Sequence, residues 1–124
     1  MPLCENPVYI HEPTPLQCGQ AVLAMLSGET VDRIIEIVGT ERETDLKMMY
    51  SALDELGITY EKNRVAVNDR EELPEICFLS LETPRCWHWS LYFKGKFLDP
   101  EHGVLDDFPE SGRKYYWKII SDDI

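Results

Sequence analysis

The sequence predicts an α+β domain in which N-terminal helices pack on a C-terminal antiparallel sheet. Three observations point to it. Apolar residues recur at helical spacing between Cys18 and Leu56; strand-like apolar runs replace them after Gly57; and Lys94-Gly95 separates two of those runs as a hairpin turn does. Helices first and strands afterwards is the α+β order rather than the alternating α/β one.

Taken in order, residues 7–16 hold three prolines and read as an extended lead-in. A first helix runs from about Cys18 to Ser27, with Ala21, Val22, Met25 and Leu26 as its apolar stripe and Gly28 as its stop. A second follows Thr30 as N-cap, buries Val31, Ile34, Ile35 and Val38, and ends at Gly39. A third follows Thr44 as N-cap, with Asp45 in the first turn. It buries Leu46, Met49, Leu53 and Leu56 and closes at Gly57. Its Met and Leu stripe reads as core. Short strands are expected at Ile58-Thr59-Tyr60 and Val65-Ala66-Val67. A buried one covers Ile76–Leu81, a hairpin joins Trp87–Phe93 to Lys96–Leu98, and a last strand covers Tyr115–Ile120.

A chain of 124 residues reads as one domain spanning 1–124. At this length roughly two-thirds of the unfolded chain's surface can be buried. The net charge of −11 repels phosphate, which argues against nucleic acid and anionic membranes as partners. No apolar run approaches the ~18 residues a membrane span needs. The N-terminus lacks the basic and apolar regions of a secretory signal, so a cytoplasmic chain is expected. Cys4, Cys18, Cys77 and Cys86 form no Cys-x-x-Cys pair and match no zinc module. Neither disulfides nor a metal are expected, and no organic cofactor. The sequence carries no signal of oligomeric state.

The residues that bear chemistry lie far apart in the chain. Cys18 sits where the extended lead-in becomes a helix. Unpaired N–H groups and the helix dipole there favour a thiolate, and Gly19 adds no side chain beside the sulfur. The other account of Cys18 is a buried structural thiol. His88 lies within Cys86-Trp87-His88-Trp89-Ser90, and Asp99-Pro100 follows eleven residues on. If Lys94-Gly95 is a two-residue turn, Phe93 faces Lys96 and Ser90 faces Asp99. His88 and Ser90 then share one face, and Asp99 is diagonal to His88, about 7–8 Å away between Cα atoms. That lets the carboxylate accept the imidazole N–H and hold its tautomer. A one-residue change in the turn would move Asp99 to the other face. A histidine merely satisfied within the sheet is the competing account. His102 reads as a solvated loop residue, and His11 as part of the lead-in.

At these residues the chain resembles the papain-like cysteine peptidases of the double-glycine leader peptidase family, which cut leader peptides from bacteriocin precursors. The likeness lies in Pro13-Thr14-Pro15-Leu16-Gln17-Cys18-Gly19-Gln20-Ala21-Val22-Leu23-Ala24-Met25, in His88-Trp89, and in Asp99-Pro100 followed by Gly103. The resemblance implies a papain-like fold with Cys18 as nucleophile, His88 as general base and acid, and Asp99 as orienter. It also implies a peptide or protein substrate, with Gly19, Trp87 and Trp89 lining its binding site. The family's oxyanion-hole glutamine lies six residues before the cysteine, where this chain has Glu12. A carboxylate donates no hydrogen bond unless protonated, and losing one such donor costs about 2.7–4 kcal/mol of transition-state stabilisation. Burial could keep Glu12 protonated, Gln17 or Gln20 could supply an amide, or the chain could be a weakened relative that only binds. In that last case Trp87, Trp89, Tyr92 and Trp117 would line the binding cleft. The family's domains are usually fused to a membrane transporter and ATPase; this chain has no Gly-Lys-Ser/Thr phosphate loop, so only the chemistry carries over. An acyl transferase using the same three residues is a further reading.

Overall fold

A computed structural model describes residues 3–120. Residues 1–2, part of the N-terminal stretch considered above, and 121–124 lie outside the described residues. Three helices, α1 (Cys18–Ser27), α2 (Val31–Val38) and α3 (Leu46–Leu56), precede the strands β1 (Val65–Ala66), β2 (Ile76–Glu82), β3 (Trp87–Phe93), β4 (Lys96–Asp99), β5 (Gly103–Leu105) and β6 (Lys114–Lys118). The sheet is antiparallel in the order β1-β6-β2-β3-β4-β5. Among the described residues no helix is long and apolar enough to cross a membrane.

Each helix ends at a glycine in the left-handed conformation (Gly28, Gly39 and Gly57), where a residue without Cβ adopts positive φ at no steric cost. Thr30 caps α2 by accepting from the Arg33 amide. The cap of α3 is Asp45, whose carboxylate accepts from the Met48 amide, and not Thr44 as expected. Thr44 is buried and its hydroxyl points to the Met49 sulfur, which leaves the capping role to Asp45.

α1 is buried on all sides from Cys18 to Leu26, well beyond its predicted stripe. It lies between the sheet and the other two helices and packs along β3. One core unites Val22–Leu26 with Ile34, Met49 and Leu53 of α2 and α3, and with Ile76, Phe78, Leu91, Phe93 and Trp117 of the sheet. A smaller cluster of Cys77, Leu79, Leu81, Tyr92 and Phe97 covers the opposite sheet face. This alternation along β2 and β3 is the period-2 pattern of a sheet covered on both sides.

Three strand expectations are corrected. Ile58-Thr59-Tyr60 forms only an isolated bridge, Tyr60 to Ile119. β1 stops at Ala66, and β6 begins at Lys114 and ends at Lys118. β5 and a 3-10 turn at Arg70–Glu72 had no expectation attached. β5 is three residues long and carries Val104, which is exposed, so its pairing with β4 rests on the tight turn before it rather than on apolar periodicity.

Candidate active site

The hairpin sets the geometry. Lys94 (φ 46°) and Gly95 (φ 93°) both have positive φ, as the two-residue turn that matches strand twist requires. Phe93 therefore pairs with Lys96 and Leu91 with Leu98, which leaves Ser90 level with Asp99. Asp99 and His88 meet in consequence: His88 Nε2 lies 3.0 Å from Asp99 Oδ1, and the Ser90 hydroxyl donates to Asp99 Oδ2 at 2.8 Å.

β3 extends beyond β4. Trp87–Ser90 pair with β2 but not with β4. By the alternation of antiparallel bonding, the Trp89 N–H points to the side β4 has vacated. It donates instead to Cys18 Sγ at 3.4 Å. The start of α1 thus sits against the open edge of β3. No side chain caps this helix end, so the first N–H groups of α1, Cys18's own included, have no intrahelical acceptor.

Nε2 of His88 is held by Asp99, and a ring nitrogen of His88 lies within 4.8 Å of Cys18 Sγ. Burial opposes the imidazolium, but the Asp99 carboxylate hydrogen-bonded to it, together with the nearby Cys18 sulfur, outweighs this and raises His88 to about 10. Burial likewise opposes the Asp99 carboxylate. The bonds from His88, Ser90 and His102 and the His88 charge outweigh that and hold Asp99 well below the usual carboxylate range. The arrangement favours an ionised Asp99 and an imidazolium.

His102 is a site residue that sequence reasoning missed. Its Nδ1 lies 2.9 Å from Asp99 Oδ1, and its backbone N–H and that of Glu101 each donate to the same oxygen at 3.0 Å. Asp99-Pro100 opens a turn in which an aspartate side chain bonds the amides two and three residues on, and such Asp-Pro turns are recognisable in sequence. The signal was present and the His102 side chain was instead read as solvated; it is 42% exposed. Tyr9 donates its hydroxyl to the Asp99 carbonyl.

Glu12 is the other unusual member. Its backbone N–H donates to the Pro100 carbonyl at 2.9 Å, which fastens the lead-in beside the end of β4. The residue is 6% exposed, and Oε1 has no hydrogen-bond partner among the described residues. Burial raises its pKa, with Glu101 and Asp99 adding to the rise and His88 and His11 opposing it. One donor atom each of Glu12, Cys18 and His88 lie within 4.8 Å of one another.

The two glutamines are committed elsewhere. Gln17 Nε2 donates to the Glu41 carbonyl, and Gln20 Nε2 donates to those of Thr40 and Arg42. They pin the 40–42 loop to α1, and neither lines the cleft. An oxyanion role for the Gln17 side chain is therefore corrected to a structural one. Gly19 does not line the cleft either. It lies under Thr44, where an added Cβ would come 2.0 Å from Oγ1 and 3.1 Å from the Trp89 ring. Gly19→Ala is expected to destabilise the fold by about 1–3 kcal/mol, measured by urea unfolding; an unchanged midpoint would show that Thr44 moves freely.

The cleft, about 260 Å³, is lined by Glu12, Pro15, Leu16, Cys18, Glu43, Thr44, Thr83, residues 85–89 and Glu101. Trp87 (47% exposed) and Trp89 line it, and the Trp89 indole N–H donates to the Thr44 carbonyl. Tyr92 and Trp117 do not. Tyr92 packs on Phe97 across the sheet, and Trp117 stacks on Phe78 in the main core. Arg85 donates to Glu101 at 2.6 Å on the rim. All four cysteines are free thiols; Cys86 is exposed in the cleft wall and Cys77 is buried in the sheet.

No protein-family model matches the chain, and no curated protein matches it.

Proposed function

We propose that this chain is a cysteine hydrolase of amide bonds, with a papain-like arrangement of Cys18, His88 and Asp99 and a peptide or protein as substrate. The observation that carries the reading is the convergence of the three residues: His88 Nε2 lies 3.0 Å from Asp99 Oδ1, and a ring nitrogen of His88 lies within 4.8 Å of Cys18 Sγ. The thiolate attacks the substrate carbonyl. The Cys18 backbone N–H, unpaired at the start of α1, faces the developing oxyanion. The imidazolium proton passes to the departing amine, water adds to the acyl-enzyme with its proton going to His88, and the thiolate is restored. Asp99 keeps the imidazole in one tautomer and neutralises its charge throughout.

Glu12 supplies the second oxyanion donor in its acid form. Burial favours that form, and an O–H donates where a carboxylate repels. The consequence is directional: activity falls on the alkaline side as Glu12 ionises. Glu12→Gln, a donor at every pH, is expected to abolish this alkaline limb while keeping the acid limb. A pH profile of kcat/KM for both proteins checks it. An alkaline limb that persists in Glu12→Gln assigns the decline to another group.

The cleft accommodates a side chain or two rather than a whole small-molecule ligand, which commonly needs about 300–1,000 Å³. This supports an extended peptide passing over Cys18 between Leu16 and Trp87. Selective alkylation of Cys18 near pH 6, lost in His88→Ala, is the direct test. Four equally slow thiols would instead favour a second reading, a non-catalytic peptide-binding domain, which the carboxylate at the oxyanion position supports.

A further inference from the structure

We propose that Glu12, Cys18 and His88 form a binding site for one thiophilic divalent cation, Zn2+ in particular, whose occupancy takes the nucleophile out of reach of substrate. The spacing of the cysteines excludes a sequence-local zinc module; Glu12 and Cys18 lie six residues apart, and His88 lies seventy residues beyond Cys18. They come from the lead-in, the start of α1 and the free end of β3.

The donors are a sulfur, an imidazole nitrogen and a carboxylate oxygen, all within 4.8 Å of one another. Zinc binds this set at about 2.3 Å to sulfur and about 2.0–2.2 Å to nitrogen and oxygen. Ligand atoms around a shared ion therefore lie roughly 3–4 Å apart, and side-chain rotation covers the difference. Two independent features point to a cation here. Glu12 is 6% exposed, lines the cleft, and holds a buried Oε1 that no described residue satisfies. His88 is already arranged as metal-binding histidines usually are, with one ring nitrogen bound to a carboxylate. Thiolate and carboxylate together balance the two positive charges of the ion. The cleft leaves a fourth position open to water, the pattern of three protein ligands that accessible zinc sites share. Binding displaces the His88 Nδ1 proton, and any proton on Cys18 or Glu12, to solvent; no electron is transferred.

The site is independent of turnover, so its test is separate from that of the hydrolase. The full chain, metal-free and without an affinity tag, is titrated with Zn2+ against a competing chelator and with Co2+ by absorbance. One ion per chain is expected, with a sulfur-to-cobalt charge-transfer band that Cys18→Ser removes. Glu12→Gln is expected to weaken Zn2+ binding at least about tenfold, while Cys86→Ser leaves it unchanged. In the unaltered protein, one equivalent of Zn2+ should protect Cys18, and not Cys86, from alkylation as read by peptide mass. This last measurement needs no folded variant. The inference is overturned if Zn2+ does not protect Cys18, if binding persists in full in Glu12→Gln, or if it follows Cys86.

Discussion

Cys18→Ala is expected to lower turnover of a cleavable peptide by about 10⁶-fold, and His88→Ala by a similar factor, with the double variant no worse than either. Non-additivity is the informative part. The sulfur and the imidazole act as one unit: the proton that leaves the thiol is the proton His88 later gives to the amine. Removing either ends that cycle, and what survives is the contribution of binding and of the helix N–H groups, roughly 10³–10⁴-fold over water. The measurement is single-turnover kinetics on a peptide library, with intact-protein mass to detect the acyl-enzyme. Turnover retained in Cys18→Ala would end the hydrolase reading, whatever the state of His88.

Asp99→Asn is expected to cost about 10⁴-fold in kcat with little change in KM. The asparagine can present its NH2 to Nε2 and hold the wrong tautomer, so Nδ1 carries a proton where the reaction needs it free. Stability should respond as well. Asp99 is fully buried and gathers bonds from His88, Ser90, His102 and the Glu101 amide. Asp99→Ala leaves a buried imidazolium without its counter-charge, a change on the scale of about 3–5 kcal/mol. The pH dependence has two limbs of known sign. Asp99 is depressed, so its contribution is present above the ordinary carboxylate range and is lost as pH falls through its lowered value. His88 is raised, so its contribution is complete below about 6.5 and is lost as pH rises towards about 10. Urea midpoints across pH should therefore form a plateau near neutrality, and His88→Ala should flatten the alkaline limb. An alkaline limb unchanged in that variant would assign the loss to another group.

The helices were legible because their signals are local. Gly28, Gly39 and Gly57 mark three ends, and Thr30 and the 44–45 pair mark two beginnings, all within one turn of the residues they affect. The hairpin was legible for the same reason. Lys94-Gly95 sets a register, and the register brings His88 and Asp99 together over only eleven residues of chain. Ile58–Tyr60 misled because its apolar alternation resembles a strand, while β6 pairs with β1 and β2 and leaves it only one bridge. His102 is the exposed loop residue the sequence suggests, but its ring also reaches the Asp99 carboxylate, a contact that only the folded turn makes.

By itself the sequence determined the fold class, the helix limits apart from the start of α3, and the His88–Asp99 register, since these depend on contacts a few residues long. Only the tertiary structure decided what surrounds Cys18. It ended β4 early enough for the Trp89 amide to reach the sulfur. It turned Gln17 and Gln20 to the 40–42 loop, pressed Gly19 beneath Thr44, and buried the Glu12 carboxyl without a partner beside thiol and imidazole. Those contacts join segments separated by up to about 70 residues. Their closure is governed by packing of the whole core, which no local spacing encodes.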